Sequence, residues 1–340
     1  MYENLNKPEQ IYLNFNASKV RWLSNSKVMP TNLFCIGSGE NLQNVSVWKM
    51  DQNQVDFEPQ LLCESDSLDG MVTEIKAKNS EEIFVSTSNG SVYHFKYSHF
   101  DQKLSLITKW SSAESHTENL NFINSFDFNS DCDELCYVTE NGTINFIRLH
   151  SQTNNVNTLD YNELCSLNSV LYLKQFEIAV GDSLGRVKIW DARSRDNKKS
   201  SLTLYLEGES SPIVCMANHP NQQHMVACGN LNGILSIYDV RSNKRPFIMS
   251  HNHSEPIMEV CFHPFSSDNL ISCSFDGSLW FWNASSKGDL KTNWEDRTVN
   301  AKNYLESNRY TLNSFDINND QLLAVNNNFC LYKLRYQNLF

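Results

Sequence analysis

The sequence predicts an all-β fold, a seven-bladed β-propeller, and three observations predict it. A hairpin signature recurs seven times at intervals close to the length of one blade. Four of the hairpins carry Asn-Gly or Asp-Gly at the turn. The residues after the seventh hairpin are too few for an outer strand, while a strand-like segment precedes the first and can supply it.

The clearest copies read GRVKIWDAR (Gly185 to Arg193), GILSIYDVR (Gly233 to Arg241) and GSLWFWNAS (Gly277 to Ser285), each with an aromatic five residues after a glycine. Relaxing the aromatic to any large apolar residue adds Gly90 with Phe95 and Gly142 with Ile147. Two degenerate copies, VSVW ending at Trp48 and FCLY ending at Tyr332, complete the set. The repeat ends fall at 48, 95, 147, 190, 238, 282 and 332, intervals of 47, 52, 43, 48, 44 and 50 residues. A propeller blade takes about 40 to 45 residues, plus loop insertions.

Each copy has the chemistry of a hairpin. A β-rich run (EIFVSTS, ELCYVTE, EIAVGDS, HMVACGN or NLISCSF) comes before the turn, and an alternating run follows it. Asn89-Gly90, Asn141-Gly142, Asn232-Gly233 and Asp276-Gly277 supply the positive φ angles of a tight turn. Upstream, Ile213 to Ala217 and Ile257 to Phe262 read as a further strand. His219-Pro220 and His263-Pro264 then turn the chain, because Pro cannot donate to a ladder. The fourth, outer strand is expected between one hairpin and the next blade, as at Leu202 to Leu206. Gln10 to Phe15 (QIYLNF) is expected to complete the last blade and lock the ring, which makes residues 1 to 340 a single domain.

Composition narrows the function. Lysine and arginine number 28 against 39 aspartates and glutamates, a net charge of −11 that opposes direct nucleic-acid binding and attachment to membrane surfaces. The basic runs Arg193 to Lys199 and Arg241 to Arg245 each follow a strand and read as solvated loops. The N-terminus lacks a signal-peptide pattern, and no apolar run reaches a membrane span, so residence in the cytoplasm or nucleus is expected. Six of the ten cysteines lie in apolar strand-like runs, and the close pair Cys132 and Cys136 has no second pair or nearby His to make a zinc site. Neither cofactor, metal nor small-molecule ligand is expected.

The sixth repeat carries His253, Ser272, Asp276 and Trp282: an aspartate in the turn, a serine four residues before it, a tryptophan six after it and a histidine ahead of the upstream strand. This constellation resembles the His-Ser-Asp-Trp tetrad of WD-repeat proteins, in which the side chains bond in series across a blade. The role implied is architectural, since such a chain satisfies polar groups that would otherwise be buried unpaired. Ser, His and Asp here lack the strand-turn-helix setting of a hydrolase nucleophile, so no catalytic residue is assigned. In other repeats Asn89, Asn141, Asn232 and Leu184 replace the turn aspartate, which leaves those blades to rely on apolar packing.

HPNQQH (His219 to His224), GILSI with Asp239-Val240-Arg241, Glu259-Val260 before His263-Pro264, DGSLW (Asp276 to Trp280) and Ala284-Ser285 carry a closer resemblance. With weaker echoes at Arg21-Trp22, Asn44 to Trp48 and Leu61 to Cys63, they resemble a family of WD-repeat nucleoporins of about forty-three kilodaltons, members of the Y-shaped outer-ring subcomplex of the nuclear pore. The resemblance implies a structural scaffold that binds other nucleoporins, including a helical-solenoid subunit, and supports pore assembly and transport. It implies residence at the nuclear envelope and a mitotic visit to kinetochores.

The alternative is a substrate receptor of a cullin-4 ubiquitin ligase, because Trp190-Asp191-Ala192-Arg193 resembles the WDxR signature of such receptors. Candidate partner-binding residues are therefore Arg193, Arg241 and Trp294, the last in the stretch Lys287 to Tyr310, which reads as a long loop.

Overall fold

The computed structural model describes residues 8–23, 31–39, 41–50, 58–111, 121–149, 156–160, 163–193, 200–205, 210–241, 246, 248–284, 299–305, 310–318 and 321–335. Strand β1 (Glu9–Tyr12) precedes the first blade, which is β2 (Ala17–Trp22), β3 (Leu33–Ser38), β4 (Val45–Lys49) and β5 (Gln60–Glu64). Blade two is β6 (Val72–Ala77), β7 (Glu82–Thr87), β8 (Ser91–Ser98) and β9 (Lys103–Ser111). Blade three is β10 (Ile123–Phe128), β11 (Glu134–Thr139), β12 (Thr143–Arg148) and β13 (Val156–Asp160). Blade four is β14 (Leu167–Lys174), β15 (Glu177–Asp182), β16 (Arg186–Asp191) and β17 (Leu202–Tyr205). Blade five is β18 (Ile213–Asn218), β19 (Met225–Asn230), β20 (Leu235–Asp239) and β21 (Ile248–Ser250). Blade six is β22 (Ile257–Phe262), β23 (Asn269–Ser274), β24 (Leu279–Asn283) and β25 (Asn300–Leu305), and blade seven holds β26 (Leu312–Asn318), β27 (Gln321–Asn326) and β28 (Cys330–Arg335).

The strands form seven four-stranded sheets, the blades of a β-propeller, and β1 is the outer strand of blade seven. It pairs antiparallel with β28, with Gln10 opposite Tyr332 and Tyr12 opposite Cys330. Two boundaries depart from the sequence reading. The closing strand spans Glu9–Tyr12 instead of Gln10 to Phe15, because after Tyr12 only the Leu13 N–H still bonds to the last blade, at the Phe329 carbonyl, before the chain turns into β2. The stretch Lys287 to Tyr310 is not wholly a loop, since Asn300–Leu305 pairs with β24. Its sequence, NAKNYL, exposed over the first three residues and part-buried over the last three, lacks the alternation that marks a strand because no residue of it is fully buried.

Burial explains the sequence pattern. The second strand of each blade is covered on both faces, so β3, β19 and β23 are buried at every residue and read as nearly continuous apolar runs. Gly229 in β19 lies where a Cβ would come within 2.6 Å of Ile257 in the next blade. At the turn, Gly233 has φ +77°, and a Cβ there would meet the His253 carbonyl at 2.5 Å, so conformation and space both demand glycine.

The chain divides into two compact units, residues 1–124 with 312–340 and residues 125–311. In the first, one core lies between blades seven and one, where Phe15, Phe34, Leu323 and Val325 meet. Another lies between blades one and two, with Cys35, Val47, Ile75 and Val85. Polar bonds link the innermost strands of these blades. Arg21 donates to Ser314 Oγ (2.9 Å) and the Phe315 carbonyl in β26, and to the Ile75 carbonyl (3.1 Å) and Glu74 carboxylate (2.7 Å) in β6. Lys19 adds a 3.3 Å ion pair to Glu74. Burial would raise the Glu74 pKa, but Lys19 and Arg21 override it and bring the carboxyl down to about 2.

The second unit is built the same way. Its cores lie between blades three and four (Val138, Phe146, Val170, Trp190), four and five (Ile189, Leu204, Val226, Tyr238), and five and six (Ile237, Ile257, Phe262, Trp282). The Tyr172 N–H donates to Asp127 Oδ2 at 2.7 Å, repeating in β10 and β14 the 2.8 Å bond from Trp22 to Asp316 in the first unit.

Deleting residues 1–16 removes the outer strand of blade seven together with Phe15, and the melting temperature should fall by more than about 5 °C; unchanged calorimetric melting would contradict closure by β1. Glu74 titrates lower in the fold than its ordinary 4.5, so its contribution is complete above that value and is lost as pH falls towards about 2. Glu74→Gln should accordingly melt below the native chain near neutral pH, and the gap should narrow across that acid range.

Candidate functional site

The hairpins share a polar device. The residue that ends the second strand is Ser38, Thr87, Thr139, Asp182, Asn230, Ser274 or Asn326, and all seven are buried. Each side-chain oxygen accepts a backbone N–H from its own turn. Asp182 Oδ1 takes those of Leu184 (3.0 Å) and Arg186 (2.9 Å), Asn230 Oδ1 those of Asn232 (3.1 Å) and Ile234 (2.7 Å), and Asn326 Oδ1 those of Asn328 (3.0 Å) and Cys330 (2.9 Å). Thr87, Thr139, Ser274 and Ser38 accept one each, from Ser91, Thr143, Asp276 and Asn44. A turn N–H buried without such a partner costs about 1–3 kcal/mol. Blade seven places Phe329 at φ +59°, where five other turns have glycine, and keeps the same acceptor.

Blade six brings together His253, Ser272, Asp276 and Trp282. The Trp282 indole donates to Ser272 Oγ at 2.9 Å, and Ser272 Oγ lies 2.7 Å from His253 Nε2. His253 Nδ1 is 2.9 Å from Ser278 Oγ but 3.7 Å from Asp276 Oδ2, so a further serine stands between the imidazole and the carboxylate. Asp276 accepts the N–H groups of Ser254 (2.9 Å) and Ser278 (2.7 Å). Partial burial opposes its ionisation, yet these bonds and the nearby His253 hold the carboxyl well below the usual range. Ser272 is fully buried and shared between indole and imidazole, so its hydroxyl is not presented to solvent.

Sequence reasoning missed a counterpart in blade two. Asp69, just ahead of β6 as His253 is ahead of β22, accepts from Thr87 Oγ1 (2.7 Å) and Ser91 Oγ, and pairs with Lys109 at 3.0 Å. The available signal was its position relative to the strand, which a search for histidine passes over. The strand-end acceptors were legible too: in six blades a Ser, Thr, Asp or Asn stands three residues before the positive-φ position. Blade four gathers Glu163, Cys165 and Asp182 with side-chain ligand atoms within 4.8 Å of one another, but Arg186 bridges Glu163 and Asp182, and Lys188 also pairs with Glu163. Two of the chain's own cations thus already neutralise both carboxylates.

Arg193 and Arg241 fold back on their own strands. Arg193 donates to Asp191 through Nε (3.0 Å) and Nη2 (2.7 Å), and its guanidinium lies 5.4 Å from the Phe176 ring centre. Arg241 makes the matching pair with Asp239, at 2.9 Å and 2.6 Å. The Asp-x-Arg segment therefore closes the turn after the third strand in both blades. Trp294 lies outside the described residues.

These features define a WD-repeat β-propeller whose described polar clusters are satisfied from within. Residues 149–325 match the family model described as Nucleolar protein 10-like, N-terminal domain. Nucleoporin Nup43 of Mus musculus is 35% identical over 302 residues, 84% of this chain and 78% of that protein. The Homo sapiens Nup43 is 35% identical over 295 residues, 82% of this chain and 77% of its own length, and the Dictyostelium discoideum nuclear pore complex protein nup43 is 24% identical over 345 residues, 79% and 81%. The chain belongs to the Nup43 family of nucleoporins.

Trp282→Ala should destabilise the fold by about 3–5 kcal/mol, since it removes a buried aromatic and leaves Ser272 short of a donor. Urea unfolding measures this, and a loss below about 1 kcal/mol would contradict the packing described.

Proposed function

We propose that this chain serves as a structural, non-catalytic scaffold subunit of the outer-ring Y complex. It is a nucleoporin, resident in the nuclear pore complex at the nuclear envelope. The observation that carries the finer reading is 35% identity to Nup43 over 302 residues, 84% of the chain. The geometry of blade six supports a non-catalytic role, because its one Ser-His-Asp grouping holds strands together and offers no exposed nucleophile.

On this reading the chain binds other nucleoporins, one of them a helical-solenoid subunit, and thereby supports pore assembly and nucleocytoplasmic transport. The same assembly takes it to kinetochores in mitosis. A propeller offers preformed surfaces that need no ordering on binding, which lowers the entropic cost of docking. The seven blades act as one domain over residues 1–340 and unfold in a single transition.

Affinity purification of the tagged full chain should recover outer-ring nucleoporins in near-stoichiometric amounts, with the tag at kinetochores in mitotic cells. Recovery instead of a cullin-4 ligase adaptor, lost on Arg193→Ala, would replace the scaffold reading with the receptor one.

A further inference from the structure

Between the outer edges of blades seven and one, within the first compact unit, lies a cleft of about 380 Å³. Ile11 and Tyr12 of β1 line one side, Trp48 and Leu61 the other, and Glu58 and Glu64 also line it. Both β1 and β5 are outermost strands of their sheets, so each presents a row of backbone donors and acceptors with no strand partner among the described residues. Tyr12 is 71% exposed and Leu61 42% exposed, large apolar side chains at an edge that proteins ordinarily protect with charge. A bulge in β5 sets Leu61 opposite Trp48, and the Trp48 indole is anchored by donating to Ser46 Oγ at 2.8 Å. The apolar floor is therefore preformed.

Charge decides what this floor receives. No lysine or arginine lines the cleft, and neither Glu58 nor Glu64 forms an ion pair with another described residue. Glu9 on β1, by contrast, is already paired with Lys333 at 3.0 Å. Two exposed carboxylates beside an apolar cleft, on a chain of net charge −11, attract a cationic segment and repel an acidic one. The open strand edges favour an extended backbone over a helix.

We propose that this cleft docks an extended segment of a protein partner in which a large apolar side chain lies within two residues of a lysine or arginine. The apolar side chain packs between Tyr12, Trp48 and Leu61, and the cation pairs with Glu58 or Glu64. This surface is independent of the outer-ring assignment, so either can fail without the other.

The test is selection of phage-displayed random nonapeptides on the full-length chain, followed by fluorescence polarisation with the enriched peptides. Enriched sequences should combine Leu, Ile, Phe or Trp with Lys or Arg. Leu61→Arg should weaken binding by about tenfold or more, as expected for loss of an apolar contact at an interface centre. The double variant Glu58→Gln, Glu64→Gln should weaken it less and flatten its salt dependence. Leu61, Glu58 and Glu64 are exposed or half-exposed, so both variants should keep the native melting temperature, which separates lost docking from lost folding. Four results would overturn the proposal: no enrichment, enriched peptides that bind Leu61→Arg equally, binding that appears only after removal of residues 1–7, or a dimer in light scattering that Leu61→Arg dissociates. The third would assign the cleft to the chain's own terminus, the fourth to a second copy.

Discussion

Closure of each hairpin turn by a buried side-chain oxygen is the interaction on which the rest of this structure depends. The tip of the hairpin is packed against its own first strand and the neighbouring blade, so its backbone N–H groups are withdrawn from water and need an acceptor. Asn230, Asp182 and Asn326 each provide one oxygen for two such groups. With the turn held, the register between second and third strands is set, and register decides which side chains face which neighbour. The apolar layers between blades follow from that choice. Where the turn is two residues longer, as after Ser38, the acceptor still reaches its donor at Asn44.

Between blades a second polar layer operates at the innermost strands. Asp127 and Asp316 each accept the backbone N–H of a residue in the next blade, and Arg21 joins three blades through five acceptors, the Val20 carbonyl included. These bonds explain why the first strand of a blade is only half apolar whereas the second is almost wholly so. They also consume the ionisable groups. The buried Glu74, Asp182, Lys188 and Lys333 all form ion pairs, which leaves function to the exposed edges and turns.

Much of the fold was legible because its decisive residues act locally. A glycine at positive φ with a β-rich run on either side is a property of neighbouring residues, and it repeats in five of the blades, in three of them with an asparagine before the glycine. The tetrad was legible for the same reason, since Ser272, Asp276 and Trp282 lie within one hairpin. Asp69 was not, because a carboxylate can replace an imidazole only if Thr87 and Ser91 present hydroxyls to it, and that depends on the fold. Ser278 between His253 and Asp276 belongs to the same class.

By itself the sequence determined the repeat, its period, the hairpins and the strand that closes the last blade, since each follows from local backbone preference and alternation. Only the tertiary structure decided the end of the closing strand at Tyr12 and the strand at Asn300–Leu305. It alone also revealed the partners of Arg21 and the apolar cleft beside Trp48. The strand Asn300–Leu305 has no fully buried residue and so carries no alternation, and contacts such as that of Arg21 with Glu74, 53 positions on, or with Ser314, 293 positions on, leave no local trace. Their positions are chosen by the strands they pair with and the neighbours that pack on them.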